Sequence, residues 1–377
     1  MTLTILGPDD PALQALEEAC AAHPQLNARV KIIPWADYRN ALLDALNAPA
    51  TPYEAVCLPG HVWLPELTHA GHFFNLNDLT SEVEPSTLAA YDASGLVPSV
   101  KAECHYQSQW VMLPLFTDGH IVFYRSDLLE LPEQIRPSDL GTYAKAMNLP
   151  SGMSPLALKA HASEILLDWL PYLWENGGDL FDEQLRPIFN SPAGVEALTN
   201  YVSLKKFTPT ETHQFGNNEL VASLTGGGVA AAVSWGGQAA SIFDPQKNPF
   251  HAVMKTTSLA NAWNATWGVC IPANQPKSQA VETLNHLMQL MDVNCDQNVT
   301  RIAGSPVRLS SYSAQQKEIY PWLASQQAML ENCKTLPLDP KVGSFLGILY
   351  AAVYNAFTEV ETPQQALDKA AAEILAA

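Results

Sequence analysis

Leu113 to Leu129 reads LPLFTDGHIVFYRSDLL, and this stretch decides how the chain is divided. Leu113-Pro114-Leu115-Phe116 is apolar, Thr117-Asp118-Gly119-His120 interrupts it, and Ile121-Val122-Phe123-Tyr124-Arg125 resumes it. Proline and an Asp-Gly pair punctuate β structure. The sequence therefore predicts a strand broken by polar residues, a form that can carry a chain from one domain into another. Trp263 to Pro272 repeats the pattern, with a polar aromatic start before the strand Gly268-Val269-Cys270-Ile271-Pro272. Ala303-Gly304-Ser305-Pro306-Val307-Arg308 is a third candidate crossing. Between the first two the chain is helix-rich, most clearly at Ser163 to Asn176 and Val195 to Lys205, and it is helical again from Lys341 onward.

Toward the amino terminus, strands and helices alternate. Thr2 to Leu6 is a short β-type run, and Gly7-Pro8-Asp9-Asp10 is a turn with a helix-start signal. Pro11 suits a first helical turn, and Leu13, Leu16, Ala19 and Cys20 have helical spacing. Val30 to Pro34 is a second strand, Tyr38 to Leu46 a helix, and Tyr53 to Leu58 a third strand ending at Pro59-Gly60. Strands alternating with helices at this spacing predict a mostly parallel sheet, with ligands outside the carboxyl ends of its strands.

Bulk properties exclude several classes. A chain of 377 residues is long for one core and predicts about two domains. No run approaches the roughly 18 apolar residues of a membrane helix. The formal net charge of −18 argues against a nucleic-acid partner, which needs a basic surface. There is no GxGxxG or Walker motif, and Gly226-Gly227-Gly228 lacks the Lys and Ser/Thr of a phosphate loop. The six cysteines have no metal spacing and read as small buried hydrophobes, with Cys295 and Cys333 the least unlikely disulfide pair. Met1 runs straight into an apolar strand without a secretory signal, which leaves a cytoplasmic protein or a mature form with an added initiator Met.

Four segments, in order, resemble the extracellular solute-binding proteins of ABC importers, the family that includes sugar- and maltose-binding proteins. Leu113 to Leu129 is similar to that family's first hinge. Leu170 to Phe181 (LPYLWENGGDLF) resembles its aromatic helix closed by Gly-Gly, Leu224 to Gln238 (LTGGGVAAAVSWGGQ) its small-residue strand before an aromatic-glycine turn, and Trp263 to Pro272 its return crossing. Leu131 to Pro137 departs from the family's usual pattern after the hinge. The resemblance implies an α/β, two-lobed periplasmic-binding-protein fold with a hinge and an inter-lobe ligand cleft. One lobe would hold residues 1–115 and 266–304, the other 116–265 and 305–377. It also implies a monomer without cofactor, metal or catalytic residue. Its partners would be a small carbohydrate or polyol and the importer's membrane subunits, in the periplasm or outside the cell.

Sugars offer apolar ring faces and a belt of hydroxyls, so a site for them needs flat aromatics beside carboxylates, amides or Arg. Asp118 can accept two hydroxyl hydrogen bonds, and the family often places an acid there; its neighbours Thr117 and His120 join it, although an Asp-Gly turn is the plainer account. Trp35 follows the second strand, and Gly60 and His61 the third. Trp63 reads as core. Trp235 and Gly236 read as an aromatic on a tight turn where a ligand can approach the backbone, with Gln238 beside them. Of Trp263 and Trp267, which bracket Asn264, Trp263 is preferred for the cleft; of Trp169 and Trp174 one belongs to the core. Arg308 offers a cationic fork for hydroxyls or a carboxylate, or else a salt bridge at the hinge. The rivals are a carbohydrate-active enzyme, for which no second carboxylate faces Asp118 in the other predicted loops, and a cytoplasmic ligand sensor of the same fold.

Overall fold

The computed structural model describes residues 2–377. The chain divides into two compact units: residues 2–118, 265–318 and 335–341 form the first, and 119–264, 319–334 and 342–377 the second.

The first unit is built on the strand Leu3–Pro8, whose six residues are all buried. Ala28–Ile33 runs parallel on one side of it, from Leu3 opposite Ala28 to Pro8 opposite Ile33. Ala55–Pro59 runs parallel on the other side, and Asn264–Cys270 follows antiparallel, with Trp267 opposite Pro59. Period two sorts the side chains into two cores. Leu3, Ile5 and Cys57 face one core with Leu13, Leu16 and Val269, while Leu6, Val56 and Leu58 face the other with Tyr38, Leu42 and Trp63. Burying each of these Leu or Val side chains contributes about 2 kcal/mol. The helix Pro11–Ala22 starts where the sequence predicts: Asp10 accepts the Ala12 N–H at 2.8 Å, and Pro11 lacks the N–H that would be orphaned there.

The second unit takes over the same long strand. Its His120 to Tyr124 pair antiparallel with Val229–Trp235, and Ile121 to Arg125 with Met254–Leu259. Ser154–Ala157 adds a parallel neighbour to Val229–Trp235. The helix Ile165–Glu175 is buried from Ile165 through Trp174, between Pro192–Ser203 and Val342–Phe357. Asp168 apart, its buried circumference is apolar, as such a central helix requires. Both Trp169 and Trp174 are buried in it.

Three expectations change. Met112–Arg125 is one unbroken strand of 14 residues, so Asp118-Gly119 is not a turn. Glycine is needed at 119 for close packing: a β-carbon would stand 2.5 Å from the Trp263 carbonyl oxygen and 2.6 Å from the Met329 side chain. The unit boundary falls there, after Asp118 rather than after residue 115. Ala303 to Arg308 is not a crossing, because residues 305–318 belong to the first unit, as do 335–341. The buried Asp296 carboxylate anchors them by accepting from Val307 N–H at 2.7 Å, Arg308 N–H at 3.2 Å and Ser311 Oγ at 2.6 Å. Thr117 N–H adds a bond to the Ser305 carbonyl at 3.1 Å. All six cysteines are free thiols, Cys295 and Cys333 included. Among the described residues no helix is long and apolar enough to cross a membrane.

Burial, with a smaller contribution from Asp9, pushes the Asp10 carboxyl up to about 6. The folded state therefore holds that proton more tightly than the unfolded chain, and ionisation of Asp10 costs stability as pH rises from about 4 to about 6. Asparagine caps as well as aspartate. Asp10→Asn is expected to match the wild type in urea unfolding near pH 4 and to exceed it above pH 6 by on the order of 1–2 kcal/mol.

Candidate functional site

The carboxyl ends of the three parallel strands in the first unit carry an aromatic face. Pro34 ends the second strand and Trp35 opens the helix Trp35–Asn47; its N–H donates to Asp9 Oδ1 at 2.7 Å, a bond across neighbouring strand ends. Trp35 is 51% exposed, the largest apolar side chain so placed among the described residues. Its ring stacks on Trp63 at 5.5 Å and 8° and meets Trp267 at 5.6 Å and 59°. Trp267 stacks in turn on Phe116 at 5.6 Å and 12°. Trp63 comes from the first turn of Gly60–His69, a helix that begins directly at the end of the third strand. Gly60 is packed too closely for a side chain: a β-carbon would meet Met112 at 2.7 Å and the Thr266 carbonyl at 2.9 Å. His61 is half-buried, and burial pulls its imidazole down to about 3, so it is neutral at physiological pH. Thr117 is buried, with its hydroxyl 3.2 Å from that of Thr266, and Asp118 ends the unit's share of the long strand.

The second unit gathers a polar cluster where the parallel pair Ser154–Ala157 and Val229–Trp235 ends. His120 lies opposite Trp235 in the antiparallel ladder, and the two rings meet edge to face at 4.5 Å. The Trp235 indole donates to Glu164 Oε2 at 3.2 Å, and Lys159 Nζ sits 4.0 Å over the Trp235 ring and 3.8 Å from Glu164. Asp168 Oδ2 accepts the Lys159 N–H at 2.7 Å and the Tyr201 hydroxyl at 3.4 Å, while its Oδ1 is 3.2 Å from His120 Nδ1. Lys159, His120 and Asp168 are buried. Burial raises Asp168 to about 7 against the pull of the Lys159 charge, and raises Glu164. Burial and then Lys159 hold His120 well below the usual histidine range. Gly236 and Gln238 form a short 3-10 turn after Trp235, and the Gly236 α-carbon rests against the Gln326 amide.

Not every candidate joins these two surfaces. Trp263 is 0% exposed and its indole donates to the Leu167 carbonyl at 3.2 Å; its ring backs the second unit's cluster edge to face, 5.0 Å from Trp235 and 5.8 Å from His120, while Trp267 supplies the aromatic face of the first unit. Asn264 is buried, its N–H on the Lys334 carbonyl at 3.2 Å. Arg308 is 2% exposed, and its fork is used within the first unit, on the Asp92 carbonyl at 3.2 Å and the Met291 carbonyl at 3.1 Å, with its guanidinium 4.8 Å over Tyr91. Sequence reasoning passed over Lys159, Glu164 and Asp168. The available signal was three charged residues in an otherwise apolar stretch. Among the described residues no cluster of three His, Cys, Asp or Glu is placed to hold a metal.

Two α/β units with candidate ligand-facing groups at their strand ends define a solute-binding class, and residues 7–289 match the family model of the bacterial extracellular solute-binding proteins. The chain belongs to that family. The mannitol-binding protein of Pseudomonas aeruginosa is 27% identical over 212 residues, 52% of this chain and 48% of that protein, so the match spans about half of the relative's length. Among solved structures, an ABC transporter solute-binding protein of Agrobacterium radiobacter in complex with ribitol aligns with TM-score 0.86 at 22% identity, over 99% of this chain and 98% of that one. A maltose-bound protein of T. maritima gives 0.82 at 20% identity over 99% and 98%. A solute-binding protein of Agrobacterium vitis with D-mannitol gives 0.82 at 19% over 98% and 96%. These structures share the fold.

Because its charge is buried, Arg308 holds the first unit together. Arg308→Met takes a donor from the Met291 carbonyl, leaves the Asp92 carbonyl with the Gly95 N–H alone, and leaves the Asp296 carboxylate without its neighbouring cation. Urea unfolding is expected to show a loss of about 3 kcal/mol.

Proposed function

We propose that this protein captures a small polyol or sugar, without turnover, and delivers it to an importer in the membrane. The observation that carries the reading is the aromatic face of the first unit. Trp35 is half exposed, yet its indole is held flat by Trp63 and edged by Trp267. A rigid indole with one open face suits the C–H side of a polyhydroxylated chain or ring, and holding it in place in advance lowers the entropy cost of binding. Around it, Gly60 opens a helix at the strand end, His61 is neutral, and Asp118 brings a carboxylate of the kind that bonds hydroxyls. In the second unit, Trp235, His120, Gly236 and the charged pair Lys159 and Glu164 offer a comparable mixture of ring and polar groups. The name of the Pseudomonas aeruginosa relative and the ligands of the ribitol and mannitol complexes support the polyol class. The family supports a place of work outside the cytoplasmic membrane and the membrane subunits of an importer as partner.

A thermal-shift screen against mannitol, ribitol, maltose, sugar acids and amino acids tests this. A solute that binds only the native state adds about 2.7 kcal/mol at 100 times its dissociation constant. Polyols or sugars are expected to raise Tm, and amino acids are not. Trp35→Ala is expected to weaken the responding solute at least tenfold, about 1.4 kcal/mol, while its own Tm stays within a few degrees of the wild type. A protein that responds to none of the carbohydrates overturns the reading.

A further inference from the structure

The helix Ile165–Glu175 carries a buried carboxylate that no packing argument calls for. Asp168 directs its two oxygens differently. Oδ2 takes two donors, the Lys159 N–H and the Tyr201 hydroxyl. Oδ1 lies 3.2 Å from His120 Nδ1, a close polar contact that does not itself have hydrogen-bond geometry, and among the described residues neither atom has a hydrogen-bond partner. His120 Nε2 is buried and, among the described residues, without a hydrogen-bond partner, on the face of the sheet where its ring touches Trp235. A buried ring nitrogen with nothing to bond is costly, so its place in a native protein calls for a ligand or water that completes it.

We propose that Asp168 is a positioning residue for solute binding: it holds His120 in the Nδ1–H tautomer and thereby presents Nε2 as the acceptor for one hydroxyl of the bound solute. This rests on the polyol or sugar reading above. The chemistry follows from what faces the pair. Lys159 and Glu164 are the charged groups beside it, and Tyr201 and Tyr172 are the phenols against Asp168. The Lys159 ammonium makes a second positive charge on His120 unfavourable, and burial acts in the same direction, so the imidazole is neutral. A neutral imidazole has one N–H and one lone pair, and whichever nitrogen meets a carboxylate carries the proton. With Asp168 ionised, that nitrogen is Nδ1 and the lone pair is left on Nε2.

Asp168→Asn separates this role from simple packing. The two donors at Oδ2 compel the new amide to put its oxygen there, so its NH₂ faces His120. Nδ1 must then accept, and Nε2 must carry the proton. Long-range nitrogen–proton NMR on histidine-labelled protein at pH 8, above the Asp168 pKa of about 7, reads the tautomer directly without solute. His120→Gln assigns the signal among the ten histidines. The expected result is Nδ1–H in the wild type, Nε2–H in Asp168→Asn, and about tenfold weaker binding of the solute found in the screen, the size of one hydrogen bond. A wild-type spectrum showing Nε2–H overturns the proposal, and that spectrum is readable even if the variant does not fold. A tautomer that reverses with affinity unchanged also overturns it and leaves Asp168 as a structural partner. If the wild type binds no carbohydrate, the functional reading fails, and an Nδ1–H spectrum from the same sample shows that the pair itself was read correctly.

Discussion

A parallel sheet covered on both faces leaves polar side chains almost nowhere to go. In the first unit every residue of Leu3–Pro8 is buried, and Ala55–Pro59 beside it divides its side chains between two apolar cores; the edge strand Ala28–Ile33 alone of the three turns charges, Arg29 and Lys31, to solvent. A charge placed in the middle of the two buried strands would lose its hydration with nothing in return. Chemistry is therefore confined to the strand ends, where the backbone turns outward and helices begin. Trp35, Gly60 and His61 occupy such ends, and in the second unit so do Trp235 and Lys159. The location of the candidate site follows from the same burial that stabilises the sheet.

The two units meet that constraint with different chemistry. The first presents aromatic area: Trp35, Trp63, Trp267 and Phe116 form a continuous series of ring contacts, cheap to keep ordered because each ring is braced by the next. The second takes Lys159, Asp168 and His120 out of water together, with Glu164 half-buried beside them. Such a cluster is tolerable only where charges compensate and most oxygens have donors, as Asp168 Oδ2 and Glu164 Oε2 do. As a contribution to stability this is a poor arrangement beside an apolar core of equal volume. It makes sense as machinery for something polar.

The strand–helix alternation of the first 60 residues was legible because period two and period 3.6 are written directly into Leu3, Ile5, Leu13 and Leu16. The need for a boundary near Asp118-Gly119 was legible too, but its form was not. Asp-Gly is the sequence of a turn, and here tertiary packing against Trp263 and Met329 is what demands the glycine. Arg308 misled for a related reason. An arginine near small residues looks available, and nothing local reveals that the Asp92 and Met291 carbonyls, distant in sequence, take both ends of its fork. The same holds for residues 305–318, which are tied to the first unit by partners distant in sequence: Asp296, Thr117, and the Asp92 and Met291 carbonyls. Trp35 and Trp235 were readable from their positions after strands. Lys159 and Asp168 were not, because their partners come from separate elements of the second unit.

Protonation follows the same logic of burial. His61 and His120 are both pushed toward the neutral imidazole, each chiefly by desolvation, His61 to about 3. On the function proposed here this is the useful state. A hydroxyl both donates and accepts, so it gains little from a full charge and much from a partner whose donor and acceptor directions are fixed. An imidazolium would offer two donors, bind anions more strongly, and change its affinity across the physiological pH range. Neutral histidines beside a braced indole discriminate by geometry, and binding a neutral solute takes up no proton at them. Affinity should then depend weakly on pH around neutrality. The exception is where Asp168, with its pKa near 7, alters which nitrogen of His120 bears the proton.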